Sequence, residues 1–413
     1  MKLPVISLFS GCGGMDYGFE AAGFQTAVAL EMDADCCRTL RQNRDWSVME
    51  TDIFSVSAKN ILATAELKPR EAALLIGGPP CQPFSKSGYW AKGDSARLKD
   101  PRANTLNAYL NVLETAQPAA FVLENVSGLA FTGKDEGLNL LLKEIAAINQ
   151  RTGCNYQPAW RILKAVEHGV PQLRERLFLV ASRNGQAFDF PAPQFGSVED
   201  EPSLLEAKTS YRSCWDAFGD VRSDEDHDDL SLRGKWADLL PTIPEGQNYL
   251  WHTERGGGEP LFGWRRRYWN FMLKVAKNRP SWTIQAQPGP STGPFHWDNR
   301  RFSRRELCRI QTFPDDVRVT GSYLDAHRQI GNAVPSLLAE VVGREIRKQY
   351  FRQRLSSSAP LLLPPARPNC PAANPANKVP RKFLSLRNSE TAHPGTGKGR
   401  GALARFETQL LTA

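Results

Sequence analysis

One cysteine of this chain is placed where it could act as a nucleophile. Cys81 lies in the loop "PPCQPFS" (79–85), directly after the apolar run "AALLIGG" (72–78). A short apolar run of this kind predicts a buried strand, and open α/β sheets carry their ligand sites at the carboxyl ends of the strands. Because prolines on both sides restrict the backbone, we expect the loop to hold the thiol in place. A thiolate so presented can add to an electrophilic carbon.

Three charged side chains are expected at the same edge as the thiol. Glu124 lies near the end of the next apolar run, "AAFVLENV" (119–126). Arg174 and Arg176 alternate in "VPQLRERLFLV" (170–180), so a strand there would turn both guanidinium groups to one side. The sequence therefore predicts that a thiol, an acid and two arginines converge on one rim of the sheet.

A glycine-rich turn near the N-terminus predicts a nucleoside site. The turn "FSGCGG" (9–14) follows the first apolar run and leads into a helical pattern. Its glycines let the backbone approach a ligand closely. Asp16 stands where a dinucleotide fingerprint would require glycine, so the signature of a nicotinamide-cofactor site is incomplete. Glu31 and Asp52 end the next two units, where acidic residues commonly bind ribose hydroxyls.

Alternating apolar runs and amphipathic stretches predict the elements that position these residues. The strands are predicted at 5–9, 26–31, 72–78, 119–126, 160–165 and 176–182. Helices are predicted at 15–24, 34–43, 105–116, 303–314 and 335–351. This alternation is typical of an α/β fold with a mostly parallel sheet covered by helices.

The pattern also predicts how the chain is divided. Residues 1–185 and 302–351 are predicted to form one α/β domain that is interrupted in sequence. Residues 186–301 are rich in Pro, Gly, Trp and Arg and predict a smaller, loop-rich domain. Residues 352–413 combine proline and basic residues without periodicity, which predicts a disordered basic tail.

Charge and cysteine content exclude several classes of protein. The chain of 413 residues has a net charge of +8, but residues 352–413 alone hold 10 Lys+Arg against 2 Asp+Glu. The remaining residues therefore hold 42 of each sign, so a uniformly basic body is excluded. The eight cysteines form no C-x-x-C pair, and their spacing predicts neither a metal site nor a disulfide framework. With no membrane-spanning run and no secretion signal, we expect a cytoplasmic protein without membrane contact.

Six motifs together resemble those of the DNA (cytosine-5)-methyltransferase family. In order they are "FSGCGG", "PPCQPFS", "ENV", "QLRER", "RRELCRIQTFPDD" and "QIGNAVP". The chain resembles in particular the members found in bacterial restriction–modification systems. The resemblance spans residues 5–183 and 302–351. It implies a Rossmann-like methyltransferase sheet dependent on S-adenosylmethionine, with a smaller domain that recognises the DNA target.

The resemblance assigns a chemical role to each residue of the rim. The Cys81 thiolate would add to C6 of cytosine, which makes C5 able to attack a sulfonium methyl group. A protonated Glu124, whose pKa must be raised by burial, would donate to N3. Arg176 would bind the O2 atom of the base. Arg174 would hold the cysteine loop and help to keep the thiol ionised.

The resemblance also implies the residues that bind S-adenosylmethionine. Phe9 would stack on the adenine, and the glycine turn would line the methionine part. Asn332, in "QIGNAVP", would close the site, which requires the last helix to pack on the first domain. The full set of implied cofactor residues is Phe9, Gly11, Gly13, Glu31, Asp52, Ile53, Leu106 and Asn332.

The implied partner is double-stranded DNA, from which the target base must be flipped. Three arginines between aromatic residues, in "GWRRRYWNF" (263–271), are predicted to contact phosphates or guanine edges. These residues are Arg265, Arg266 and Arg267. By analogy we expect a monomer associated with the nucleoid and paired in function with a restriction endonuclease, without physical contact.

Three other functions remain open at this point. The same chemistry could act on transfer RNA, although a separate domain of about 100 residues favours duplex DNA. An oxidoreductase that binds a nucleoside and uses Cys81 is disfavoured by Asp16 and leaves Glu124 and the arginine pair unexplained. A DNA-binding protein without catalytic activity is the third alternative.

Overall fold

The computed structural model describes most of the chain and shows a seven-stranded sheet. The described residues are 3–80, 104–130, 136–197, 209–222, 228–264, 268–353 and 355–387. The strands of the sheet are β1 (Pro4–Leu8), β2 (Gln25–Glu31), β3 (Ser47–Glu50), β4 (Leu74–Gly77), β5 (Ala120–Val126), β6 (Ala159–Lys164) and β8 (Glu175–Ser182). Their spatial order is β3-β2-β1-β4-β5-β8-β6.

The described part of the chain forms ten α-helices, several of which cover the two faces of this sheet. They are α1 (Gly14–Ala21), α2 (Ala34–Asn43), α3 (Ala58–Thr64), α4 (Asn104–Ala116), α5 (Glu136–Thr152), α6 (Cys214–Phe218), α7 (Arg304–Ile310), α8 (Tyr323–Asn332), α9 (Ser336–Tyr350) and α10 (Arg381–Leu384). One apolar core lies under α3, α4 and α5, and the other lies under α1 and α9. Within the described ranges, none of these helices combines the length and apolar character that crossing a bilayer requires.

The predicted α/β sheet is confirmed, with one strand reversed. Strands β1 to β5 pair in parallel, whereas β8 runs antiparallel to both of its neighbours, β5 and β6. The six predicted strands agree with the observed ones to within a few residues, because near-continuous apolar runs mark strands that are buried on both faces. The short edge strand β3 was not predicted, since its sequence SVME is half-exposed and carries no apolar run.

The last long helix returns to the first one, and glycine makes the close contact possible. A β-carbon at Gly18 of α1 would lie 2.2 Å from the backbone oxygen of Ser336 and 2.6 Å from Cβ of Ala339. On α9, Gly343 faces Ala22 in the same way, at 2.8 Å. The two helices therefore pack with almost no side chain between their backbones at this crossing.

Gly18→Ala is expected to destabilise the protein by about 1–3 kcal/mol, because the added methyl group meets the backbone of α9 and not a side chain that could move. The loss would be measured by urea unfolding. Gly263→Ala is the matched control, since a β-carbon at Gly263 meets no atom within 4 Å. Its effect should stay within about 0.5 kcal/mol, and an equal effect of the two substitutions would contradict the packing argument.

Residues 186–301 contain only short elements in the part that is described. These are β9 (Phe195–Gly196), β10 (Thr209–Ser210), α6 and β11 (Ser281–Trp282), together with single-turn helices. β11 pairs in parallel with β7 (Gln172–Leu173), just before β8. One apolar cluster, built around Leu240, Tyr249 and Phe262, belongs to this region. A second cluster joins Phe218 and Trp297 to residues of α1, α7 and α8, so the region also shares a core with the sheet domain.

The prediction of disorder from residue 352 onward is wrong for residues 355–387. Phe383 is buried and stacks on Trp236, with ring centroids 5.8 Å apart and planes 15° apart. Arg367 donates to α6 from its backbone and its side chain. A proline-rich segment needs no internal hydrogen bonds, so a few anchors suffice to dock it in an extended form. Composition alone does not reveal such anchors. The rest of the predicted tail, 388–413, lies outside the described residues.

Candidate active site

Glu124, which is buried, and Arg176, which is half-buried, form an ion pair at the carboxyl edge of the sheet. Glu124 lies near the end of β5, and Arg176 is the second residue of β8. Because these strands are antiparallel, the end of β5 meets the start of β8, and Val126 pairs with Arg176. Arg176 Nε lies 2.7 Å from Glu124 Oε1. Arg176 Nη1 also donates to the carbonyl of Glu175 at 2.8 Å, so two contacts orient the guanidinium group.

The environment of Glu124 favours its protonated form. Burial raises the pKa of Glu124 above its ordinary value, and the positive charges of Arg176 and Arg174 only partly oppose the rise. Removal of a carboxylate from water penalises the charged state, which is why the effect of burial prevails over the ion pair. A carboxyl group held in this way can serve as a general acid.

The stem of the cysteine loop is fixed against this pair. A β-carbon at Gly78 would lie 2.8 Å from Glu124 Oε2, so only the bare backbone fits there. Asn125 Nδ2 donates to the carbonyl of Pro79 at 3.1 Å. Thr105 Oγ1 donates to the carbonyl of Pro80 at 3.2 Å. The predicted nucleophile Cys81 lies outside the described residues, but it is joined covalently to this anchored stem.

The glycine turn brings β1, β2 and α1 together, as predicted. Phe9 and Gly11 both adopt positive φ angles, 56° and 55°. Gly13 caps α1 with φ 88°, and a β-carbon there would lie 2.9 Å from a side-chain carbon of Leu40. Glu31 Oε2 accepts a hydrogen bond from the backbone N–H of Gly11 at 2.8 Å, which ties the end of β2 to the turn.

Carboxylates and exposed apolar side chains alternate around this turn. The other oxygen of Glu31 accepts from the N–H of Met32 at 2.8 Å. Asp52 accepts from the N–H of Phe54 at 3.1 Å, while Ile53 between them is buried. Met32 and Phe54 are 67% and 58% exposed. Sequence reasoning missed these two residues, although an apolar residue shortly after each carboxylate was the signal that could have revealed them.

The segment that contains Asn332 reaches the glycine turn through α8. Arg328 Nη1 lies 2.7 Å from Asp33 Oδ2, just after β2. A β-carbon at Gly14 would lie 2.5 Å from the carbonyl oxygen of Val334, so the two motifs are in direct backbone contact. Asn332 is exposed at the last position of α8. The predicted return of the C-terminal motif to the first domain is therefore present.

A comparison with known proteins identifies the family. The model of the C-5 cytosine-specific DNA methylases matches residues 3–348. The chain belongs to this family. The type II methyltransferase M.SacI of Streptomyces achromogenes is 40% identical over 372 residues, which cover 84% of this chain and 93% of that protein. M.NgoFVII of Neisseria gonorrhoeae is 31% identical over 81% of this chain and 83% of its own length.

Solved structures show the same fold at low identity. A putative DNA modification methyltransferase encoded within an E. coli prophage has a TM-score of 0.59 at 19% identity, over 84% of this chain and 99% of that one. The Dnmt2 methyltransferase of S. pombe has a TM-score of 0.52 at 18% identity, over 85% of this chain and 99% of that one. The chain therefore has the S-adenosylmethionine-dependent methyltransferase fold, and it is a DNA (cytosine-5)-methyltransferase of the type found in restriction–modification systems.

In this methyltransferase Arg174 has a different set of contacts from the predicted one. It lies in the break between β7 and β8, not within one continuous strand, and it is buried. Its Nη1 donates to the carbonyl of Ile284 at 3.2 Å, and its Nη2 donates to that of Gly331 at 3.0 Å. Arg174 thus joins the smaller domain to α8 beside the cofactor motif. Its predicted contact with the loop at Cys81 falls outside the described residues.

Two buried glutamines, Gln172 and Gln311, extend this connection. Gln172 Nε2 donates to Gln311 Oε1 at 2.9 Å, and Gln172 Oε1 accepts from the N–H of Ile284 at 3.1 Å. Gln311, the residue that follows α7, in turn donates to the carbonyl of Ile330 at 2.7 Å. Every partner in this chain of bonds is buried, so the network holds the three segments in one arrangement.

The remaining predicted residues are less informative about the site. Leu106 lies in the first turn of α4 and packs partly buried against the main core. The predicted DNA contacts Arg265, Arg266 and Arg267 lie outside the described residues. Trp264, which directly precedes them in the sequence, is exposed. The guanidinium carbon of Arg255 lies 4.5 Å from the centroid of the Trp264 ring.

One buried acid lies behind the glycine turn. Asp16 of α1 is fully buried and accepts a hydrogen bond from Thr26 Oγ1 at 3.4 Å. Burial raises the pKa of Asp16 to about 7, against the lowering effect of hydrogen bonds from its neighbours. In the unfolded chain an Asp titrates near 3.9, so the native state binds this proton more tightly. Stability from this group is therefore full below about pH 4 and is lost as the pH rises towards 7.

Asp16→Asn is expected to remove this loss, because the amide is neutral at every pH. The free energy of unfolding of the variant, relative to the wild type, should rise by about 2–3 kcal/mol between pH 5 and pH 8. Urea unfolding at the two pH values measures the change. A relative stability of Asp16→Asn that does not change with pH would contradict the assignment.

Proposed function

We propose that this chain methylates C5 of one cytosine in a specific double-stranded DNA sequence, with Cys81 as nucleophile, and so protects that DNA from a paired restriction endonuclease. The observation that carries the proposal is the Glu124–Arg176 pair fixed against the stem of the Cys81 loop. It supports three groups for one pyrimidine ring: a thiol for C6, an acid for N3 and a guanidinium for O2.

The proposed steps follow from the chemistry of the ring. The Cys81 sulfur forms a bond to C6 while Glu124 gives its proton to N3, which leaves C5 electron-rich. Arg176 binds O2 throughout. C5 then forms a bond to the methyl group as the methyl–sulfur bond of the sulfonium donor breaks, which leaves a neutral thioether. Water takes the C5 proton, and the C6–sulfur bond breaks to release the Cys81 thiolate. The ring regains its aromatic form as N3 returns its proton to Glu124. The raised pKa of Glu124 supports the first step, because the acid must arrive protonated.

The glycine turn and its neighbours fit S-adenosylmethionine as methyl donor. When bound, this cofactor supplies an electrophilic methyl group on a sulfonium sulfur. Glu31 stands at the end of β2, where its carboxylate can accept from ribose hydroxyls. The exposed apolar side chains of Met32 and Phe54 offer faces for the adenine ring, with Asp52 beside them. A β-carbon at Gly13 would meet the side chains of Leu40 and Tyr17, and one at Gly14 would meet the carbonyl oxygen of Val334, so the turn has no room for larger residues at these positions.

Duplex DNA as substrate has a geometric consequence at this site. Glu124 is buried and Arg176 is half-buried at the sheet edge, so a base that is stacked in a duplex cannot reach both side chains. The target cytosine must therefore leave the helix, as in other enzymes that modify a base. The relatives M.SacI and M.NgoFVII are type II methyltransferases, which supports pairing with an endonuclease.

Bisulfite sequencing of DNA from cells that express the chain tests this function. We expect one short sequence to carry 5-methylcytosine at a fixed position, which identifies the recognition site at the same time. Cys81→Ser should abolish the methylation. Cys370→Ser is the matched control, since its thiol is exposed and the residue belongs to the segment docked on the smaller domain; this variant should methylate normally.

Two results would contradict the proposal in different ways. Full methylation of DNA by Cys81→Ser would exclude the nucleophile, though not the activity. Methylation found only in the transfer RNA of the same cells, with none in DNA, would show that the chemistry acts on RNA.

Duplexes with 5-fluorocytosine at the target position test the covalent step. Fluorine cannot leave C5 as a proton does, so the Cys81 adduct should persist through denaturing electrophoresis. Glu124→Gln should slow the formation of this adduct by about 10²–10⁴-fold, because the amide has no acidic proton for N3. The formation rate would be followed by quenching at intervals. An adduct that forms equally fast in Glu124→Gln would exclude Glu124 as the acid.

A further inference from the structure

An exposed tryptophan, an exposed leucine and a half-buried tryptophan form an apolar surface beside the candidate active site. Leu173 and Trp269 are 42% and 41% exposed. The rings of Trp269 and Trp282 lie 6.3 Å apart between centroids, with 55° between their planes. Leu173 of β7 and Trp282 of β11 are direct partners in the short parallel pair. These three residues are referred to below as the tryptophan patch.

The tryptophan patch lies next to the arginines of the site. Leu173 stands between Gln172 and Arg174, which are both buried, so its exposed side chain points away from their network. Three residues further along is Arg176, which binds Glu124. Thr283 Oγ1 donates to the carbonyl of Leu173 at 2.5 Å, and the side chain of Asn248 donates to the carbonyl of Trp269. One bond from the residue after Trp282 and one from Asn248 therefore fix the backbone of the patch, three residues before Arg176 in the chain.

The fold itself does not require these rings to be exposed. Elsewhere in the same region tryptophans are used in the core: Trp297 stacks on Phe218 with ring centroids 4.8 Å apart and planes 7° apart. Contiguous exposed apolar surface marks a binding site in soluble proteins. Aromatic side chains at a nucleic-acid site stack on bases or wedge between them, and each stacked base contributes a sizeable share of the affinity.

We propose that Trp269 and Trp282 pack against the DNA bases that lose their stacking partner when the target cytosine leaves the helix. Extrusion of one base uncovers the flat faces of its neighbours and costs a few kcal/mol. An apolar aromatic surface at the entrance to the Glu124–Arg176 pair can cover those faces. The tryptophans then act as positioning residues that stabilise the opened duplex. This inference rests on the proposed methylation of duplex DNA.

Single-turnover methylation of two substrates tests this role. Both are duplexes of the sequence that bisulfite sequencing identifies. In one the target cytosine is paired, and in the other the opposing base is removed, so the target is already unpaired. The double variant Trp269→Ala/Trp282→Ala should lose at least about tenfold in rate on the paired duplex, relative to the wild type on that substrate. On the unpaired duplex its rate should stay within about threefold of the wild type.

The difference between the substrates separates this role from a structural one. Trp269→Phe/Trp282→Phe should keep most of the rate on paired DNA, because it retains flat rings. Trp160→Ala is the matched control: this residue of β6 is 44% exposed and pairs with Leu179, further from the active edge. It should behave as wild type on both substrates.

Three outcomes would overturn the inference. Equal loss on both substrates would show that the tryptophans only support the fold. Wild-type rates in the double alanine variant would show that the patch is not needed. A wild-type chain that methylates neither duplex would overturn the proposed function as well, which distinguishes that failure from the first two.

Discussion

The ion pair between Glu124 and Arg176 depends on the direction of a single strand. In a parallel sheet all carboxyl ends lie at one edge, so a residue at the start of a parallel β8 would lie at the far edge from Glu124. Because β8 runs antiparallel, its first residues return to the edge where β5 ends. A buried acid and a half-buried guanidinium then meet at 2.7 Å. The reversal of β8 is therefore the topological feature on which the proposed chemistry rests.

Burial gives this pair its chemical character. An exposed carboxylate next to an arginine would have a lowered pKa, and it could not serve as an acid at neutral pH. Here the loss of hydration acts in the opposite direction and prevails. The close approach of Gly78 contributes, since a side chain at that position would displace Glu124. The same backbone leads through Pro79 and Pro80 to the cysteine, so the anchoring of the loop stem and the environment of the acid are set by the same few contacts.

Hydrogen bonds made by buried side chains connect the chain segments that surround the edge at Glu124 and Arg176. Arg174 binds carbonyls from the smaller domain and from α8, and Gln172 and Gln311 add bonds to the same segments. Buried carbonyls need partners, and one long side chain can satisfy two of them at once. The docked segment 355–387 adds a further link, because it leaves α9 and ends on the core of the smaller domain. The arrangement of the two domains is thus determined at several places that are distant in sequence.

The sequence by itself determined six of the seven strands of the sheet, the glycine turn and the set of motifs, because apolar runs and glycines act over a few neighbouring residues. It also predicted that Glu124 and Arg176 would share an edge, but only the antiparallel direction of β8 brings the start of that strand to the end of β5. Only the tertiary structure decided that Arg174 turns towards Ile284 and Gly331 and that a proline-rich segment is docked by Phe383. It also decided that Trp269 stays exposed beside the half-buried Trp282. Each of these depends on contacts between residues far apart in the chain. The free energy of such contacts depends on which side chains are buried together and on the distances between their atoms, and the local sequence pattern reveals neither.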